Sequence, residues 1–171
     1  MWGIGRGWIK LGEFHFKTVR LGFRNYVHED EDFFVELNIC PVVRKHVDGP
    51  MLKEDVHALF RDIVLKNPYA YAICLNHDQN ELVGHLWLNE GKPLPYPEVG
   101  YIFQREHWNL GYASEALGGL IEFHRSRLEG LFATCDKDHH ASLKVLKKHG
   151  FKILREVLDD PPEYYELALE F

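Results

Sequence analysis

The chain has 171 residues, 46% hydrophobic and 27% charged, which fits one domain large enough for a hydrophobic core. A net charge of −6 lacks the basic excess needed to coat nucleic acid, and no apolar run nears the roughly 20 residues that span a bilayer. Cys40, Cys74 and Cys135 stand far apart without a CxxC pair, so they suggest a reducing cytoplasm and neither a disulfide framework nor a zinc site.

Residues 1–16 contain WGIGRGW, but its GxGxG lacks the strand–turn–helix setting of a nucleotide site. Arg6, Lys10 and Glu13 also interrupt the stretch as a secretion signal. It reads as an extension or extra strand, and an added strand offers a route to a homodimer. Val19, Leu21 and Phe23 alternate, predicting a strand over 18–25. Phe33, Phe34 and Leu37 predict a short helix after Glu29 and Asp30. Val56, Leu59, Phe60, Ile63 and Val64 fall at helical spacing, predicting a helix from Lys53 to Leu65 that Asn67-Pro68 ends. Two β-rich runs, 69–75 and 81–88, flank NHDQN, which reads as a hairpin turn. The loop GKPLPYP leads to a strand over 98–103.

A helical stripe follows, formed by Ala113, Ala116, Leu117, Leu120, Ile121 and Phe123. LFATC then reads as a short buried strand. Ser142, Val145, Leu146 and His149 predict a last helix, with Gly150 as its stop. FKILREV and EYYELALEF are strands separated by DDPP. The sum is an α/β (α+β) domain, with a mixed central sheet of about seven strands flanked by about four helices.

The turn HWNLGYASEA raises the question of function. A helix beginning near Tyr112 leaves its first N–H groups unpaired, and together with the helix dipole these attract an anion. Gly111 removes a Cβ where the backbone must approach a ligand, and Ala113 keeps the next position small. A loop glycine before any helix looks the same.

EVGYIF, HWNLGYASEA and HHASLKVLKKHGF together resemble the Gcn5-related N-acetyltransferase (GNAT) superfamily. The branch they are most similar to is that of the ribosomal-protein N-terminal acetyltransferases, RimJ and RimL. The superfamily's (Gln/Arg)-x-x-Gly-x-(Gly/Ala) is matched by Gly111 and Ala113. Trp108 stands in place of Gln or Arg, while Asn109 and Leu110 replace a glycine and a basic residue of the branch. Of the pattern Asn-x-x-Ser…Lys-x-Gly-Phe, Ser142, Lys148, Gly150 and Phe151 match, and His140 takes the Asn position.

The resemblance implies a single GNAT domain over 17–171. Its activity would be acetyl transfer from acetyl-coenzyme A to a primary amine by direct attack, with no metal. The amine would be a protein N-terminus, a polyamine, an amino sugar or an antibiotic, and neither nucleic acid nor membrane would be a partner. Tyr101, Ile102 and Phe103 would lie along the pantetheine arm, with backbone N–H groups near Ile102 facing the thioester oxygen. Trp108, Asn109, Leu110, Gly111, Tyr112, Ala113 and Ser114 would hold the pyrophosphate, and His140, Ser142 and Lys148 would complete the coenzyme site.

Glu98 is the expected base and Ser142 the expected proton donor to the leaving thiolate. An exposed strand-end carboxylate and a helix-start hydroxyl are equally good readings of the two. Trp87, Tyr96 and Glu98 are expected at the acceptor pocket, although strand aromatics more often serve packing. His139 and His140, with Asp136 and Asp138, lack any HExxH-type spacing and read as a surface cluster rather than a metal site. Glu115 favours the first turn of its helix. The departures at Leu110 and His140 leave an alternative, a non-catalytic acyl-coenzyme A binding or sensing module of the same fold.

Overall fold

The computed structural model describes residues 13–90, 95–158 and 162–171. The extension expected over 1–16 therefore falls mostly outside the described residues; its last member, Phe16, opens the first strand. In chain order the elements are β1 (Phe16–Lys17), β2 (Leu21–Asn25), α1 (Glu31–Ile39), α2 (Lys53–Asp62), β3 (Ala70–Leu75), β4 (Asp78–Asn89) and β5 (Glu98–Phe103). They continue with α3 (Tyr112–His124), β6 (Gly130–Asp136), α4 (His140–Lys148), β7 (Lys152–Val157) and β8 (Tyr164–Glu170).

Among the described residues one mixed sheet holds eight strands in the order β1-β2-β3-β4-β5-β6-β8-β7. The strand expected over 18–25 is shorter because Thr18 N donates to Leu21 O (2.8 Å), closing a tight turn that adds β1 as the eighth strand. The hairpin turn is also tighter than NHDQN suggests. Register shifts around Cys74 let Leu75 pair with Asp78, so Asp78, Gln79 and Asn80 join β4 and only Asn76 and His77 turn. The helix from Lys53 stops at Asp62, and a 3₁₀ turn over Val64–Lys66 carries the chain to Pro68.

Side-chain alternation along the strands divides the apolar residues between two faces. Tyr71, Ile73, Leu86, Val99 and Phe103 pack against Ala116, Leu117 and Leu120 of α3 and Leu146 of α4. Ala70 and Ala72 face Tyr26, Phe34, Val56 and Phe60 on the α1–α2 side. Each large side chain fully buried this way contributes about 1.5–3 kcal/mol before the cost of ordering it. A buried ion pair joins β2 to the start of α1: Arg24 donates to both Asp30 oxygens at 2.6 and 2.9 Å. Removing one partner would strand the other's charge, at a cost of about 3–5 kcal/mol.

All neighbouring strands run antiparallel except β5 and β6, whose parallel contact has one register pair, Glu98↔Phe132. Phe132 N donates to Pro97 O (2.9 Å), and beyond that point the two strands part. This parting creates the site.

Candidate functional site

Backbone direction alternates along a strand, and two bonds fix the alternation in β5. The Pro97 carbonyl faces β6, whereas Gln104 N donates to Val83 O (3.0 Å) on the β4 side. The β4–β5 ladder is regular between them. Glu98, Gly100 and Ile102 therefore spend their backbone groups on β4; Val99 N–H is spent on the parallel contact with Phe132, and Tyr101 and Phe103 turn theirs into the opening. The N–H groups expected near Ile102 are, by strand parity, those of its neighbours Tyr101 and Phe103. One of the exposed acceptors, Phe103 O, receives the Trp108 indole N–H (2.8 Å). Trp108 thus ties the turn to the strand.

The turn itself has two left-handed residues, Asn109 (φ 61°) and Gly111 (φ 81°). Gly111 caps α3 without a side chain, and the first intrahelical bond is Glu115 N to Gly111 O (3.1 Å). Among the described residues the N–H groups of Tyr112, Ala113 and Ser114 consequently have no protein partner, and the helix dipole adds to their pull on an anion. Two cations arrive from elsewhere in the chain. Lys148 Nζ, at the end of α4, donates to Ser114 Oγ (2.9 Å), and His149 Nε2 lies 3.0 Å from the same hydroxyl. Arg20, in the β1–β2 turn, donates to Leu110 O (2.9 Å) and Glu115 Oε2 (2.7 Å) and lies 4.6 Å from the Tyr112 ring centroid. Glu115 also accepts Thr18 Oγ1–H (2.6 Å), so its part is to clamp α3 to the β1–β2 turn.

The opening between β5 and β6 continues into a cavity of about 780 Å³ that reaches both faces of the sheet. On the α4 side, Ser142 Oγ lies 3.0 Å from Tyr101 Oη. Burial pushes the Tyr101 hydroxyl up to about 12. Cys135 lines the same wall, its thiol pushed up by burial. On the α1–α2 side, Trp87 lies flat over Gly100, where an added Cβ would meet the indole at 2.1 Å. Trp87 in turn stacks on the buried His85 (4.9 Å), whose pKa burial lowers to about 3. Glu98 Oε1 accepts Thr134 Oγ1–H (2.8 Å), which fixes the carboxylate across the opening. The loop between α1 and α2 supplies Lys45, His46, Val47, Asp48 and Gly49 to the far wall.

Residues 20–152 match the Acetyltransferase (GNAT) domain family. The chain belongs to the GNAT acetyltransferase family. YnaD of Bacillus subtilis, an uncharacterized N-acetyltransferase, is 28% identical over 141 residues, 81% of this chain and 82% of its own length. Two solved structures share the GNAT fold at lower identity. The spermidine N-acetyltransferase of Vibrio cholerae, in complex with coenzyme A and spermine, is 13% identical with a TM-score of 0.78, over 90% of this chain and 96% of that one. RimL, a ribosomal L7/L12 α-N-protein acetyltransferase solved with coenzyme A, is 19% identical with a TM-score of 0.75, over 93% of this chain and 98% of its own.

In this GNAT domain the residues singled out from sequence fall into three groups. Tyr101, Phe103, Trp108, the turn through Ser114, Ser142 and Lys148 lie around the opening and the α3 N-terminus, while the Ile102 side chain is buried with its backbone toward β4. Glu98 and Trp87 line the cavity. Tyr96 and His140 do not line it: Tyr96 donates to Glu170 Oε1 (3.3 Å) at the far end of β8, and His140 is exposed as the first residue of α4. The surface cluster expected around His139 and His140 is differently composed. His46 joins Asp136 and Asp138 (3.0 and 3.3 Å from Nδ1), and His139 stacks on its ring.

Arg20, Thr134 and His46 escaped sequence reasoning. Arg20 sat within a stretch read as plain strand, and nothing local brings residue 46 to residue 136. Among the described residues, no helix is long and apolar enough to cross a membrane.

Proposed function

We propose that this acetyltransferase moves an acetyl group from acetyl-coenzyme A to a primary amine by direct attack, the coenzyme entering on the α3 side of the opening and the amine on the α1–α2 side. One observation carries the reading: β5, whose Tyr101 lines a cavity walled by carboxylates, runs on through Phe103, tied to Trp108, to the amides at the start of α3. The diphosphate of the coenzyme would rest on the N–H groups of 112–114, where Gly111 leaves room, with Lys148 and Arg20 supplying the charge missing at Leu110. The arm would lie along Tyr101 and Phe103, whose N–H groups face the opening and would bind its amides and the thioester oxygen.

The amine nitrogen, once it has lost a proton, attacks the thioester carbon. The C–S bond breaks with its electron pair on sulfur, and the thiolate takes a proton, leaving an amide and free coenzyme. Ser142, hydrogen-bonded to the Tyr101 hydroxyl, is the donor, and it regains its proton as the nitrogen sheds its second one in becoming an amide. Glu98, held by Thr134, meets the incoming ammonium. Asp48, Glu98 and Asp136 on one wall favour a cationic acceptor, either a protein N-terminus or a small amine. Spermidine and ribosomal N-terminal acceptors in fold relatives are consistent with both choices.

Thiol release is measured with a panel of spermidine, glucosamine, tyramine and a peptide with a free seryl N-terminus. Glu98→Gln and Ser142→Ala should each lower turnover by about 10–100-fold while leaving coenzyme affinity intact. Unchanged turnover in both variants would remove the two residues from the chemistry. Coenzyme binding without acetylation of any amine would overturn the reading in favour of a binding module.

A further inference from the structure

The loop between α1 and α2 is built more firmly than its turn-only backbone suggests. Asn38, buried in α1, donates to Phe34 O (2.8 Å) and accepts Arg44 Nη1–H (2.8 Å). The rest of the Arg44 guanidinium holds Gly49 O (2.7 Å) and Val47 O (2.6 Å). Asp48 (φ 56°) and Gly49 (φ 75°) turn the chain back. His46 is carried inside this staple. Its side chain is 16% exposed and reaches the end of β6, where Nδ1 lies 3.0 Å from Asp136 Oδ2 and 3.3 Å from Asp138 Oδ1. Its ring stacks on His139 at 4.2 Å and 13°.

Carboxylates only accept, so Nδ1 carries the hydrogen. Nε2 is then the lone-pair nitrogen, with no protein partner among the described residues, on a ring that lines the cavity shared with Glu98 and Ser142. A carboxylate holding Nδ1–H is the arrangement that fixes an imidazole as a base.

We propose that His46, oriented by Asp136, takes the proton from the acceptor ammonium; the proposal rests on the acetyltransferase reading. One N–H bond of the ammonium breaks, its electron pair stays on nitrogen for attack on the thioester, and the proton moves to Nε2. The resulting imidazolium faces Asp136 and Asp138, which offset its charge. An imidazole is better matched to this task than a carboxylate, because aliphatic and α-amino groups titrate far above carboxylates and imidazole lies between them. Glu98 keeps the part of counter-ion and His46 takes the proton. The other charged groups around His46 are Lys45 and Asp48 of its own loop, Glu98 across the cavity, and His139, whose pKa is lowered by burial and by His46 itself.

The test follows turnover of the best amine in the panel from about pH 6 to about 9 for wild type, His46→Asn and Asp136→Asn. The carboxamide introduced by His46→Asn can still donate to Asp136, so the loop stays tethered. His46→Asn should lose about 100-fold in kcat at neutral pH, regain most of it as the amine becomes free base in solution, and respond to added imidazole, with the acetyl-coenzyme A KM unchanged. Asp136→Asn should displace the acidic limb of the wild-type profile, which a merely structural contact would leave in place.

A wild-type profile and rate in His46→Asn would overturn the proposal alone, as would a loss equal at every pH with no imidazole rescue. Wild-type activity abolished by EDTA and restored by Zn²⁺ would make the His46–Asp136–Asp138 trio a metal site and overturn it too. Wild-type protein that binds coenzyme and acetylates nothing would overturn the acetyltransferase reading first, and this one with it.

Discussion

The two ends of the candidate site are made in different ways. The α3 end comes from seven consecutive residues, Trp108 to Ser114, and its chemistry belongs mostly to the backbone: two left-handed residues and three amides unpaired among the described residues. The α1–α2 end is assembled from side chains on four separate stretches, with His46, Trp87, Glu98 and Asp136 meeting only through the sheet and a stapled loop. A backbone-made site depends on conformation, which a glycine can dictate locally. A side-chain-made site depends on register and loop path, which no short stretch encodes.

The hardest blow to the α3 end should be Gly111→Val. Its added Cβ meets nothing closer than Arg20 Nη2 at 3.5 Å, so crowding is not the cause. The cost is conformational, because a β-branched residue resists φ 81° and would swing the amides away from their common focus. Losing that focus and the dipole contribution of about 2 kcal/mol should weaken coenzyme binding about 30-fold or more. Calorimetry on the folded variant checks this; undiminished heat and affinity would break the claim that the backbone makes this end.

Gly100→Ala is the matching blow to the other end. The new methyl would overlap the Trp87 indole at 2.1 Å, and the indole must leave its place on His85 to make room. Overpacking of this kind costs about 1–3 kcal/mol in stability. A displaced cavity floor should lower kcat/KM for the amine by roughly 10-fold while leaving coenzyme affinity alone. If both affinities fell together, the two ends would be one coupled site and the comparison would fail.

The contrast also explains what could be read in advance. Periodicity marked every helix and all but the shortest strand, because amphipathic burial leaves a local trace in Val56 to Val64 or in Tyr71 and Ile73. It missed β1, whose two residues are too few to show alternation, and overran the turn at Asn76, because a bulge at Cys74 shortens it. The turn before α3 was legible through Gly111 and the helix start that follows. His46 was not, because its partner lies 90 residues away and Arg44, which fixes its loop, bonds to carbonyls that any residue could offer. Tyr96 shows the converse error. An aromatic beside the strand suggested a pocket wall, but the chain turns it toward Glu170.

The smallest effect is the most discriminating. Leu110 is 49% exposed beside the α3 N-terminus, and its carbonyl is pinned by Arg20, so a new side chain there changes charge without moving the backbone. Leu110→Lys should tighten coenzyme binding by about 2–5-fold at low salt, the worth of one exposed charge near such a terminus, about 0.3–1 kcal/mol. The gain should fade as salt is raised to ~1 M, where screening reaches within about 3 Å. An unchanged affinity at low salt would mean that Arg20 and Lys148 already saturate the need for positive charge. The α3 end would then depend, like the α1–α2 end, on side chains delivered by the tertiary fold, and the distinction between the two would narrow to the three amides alone.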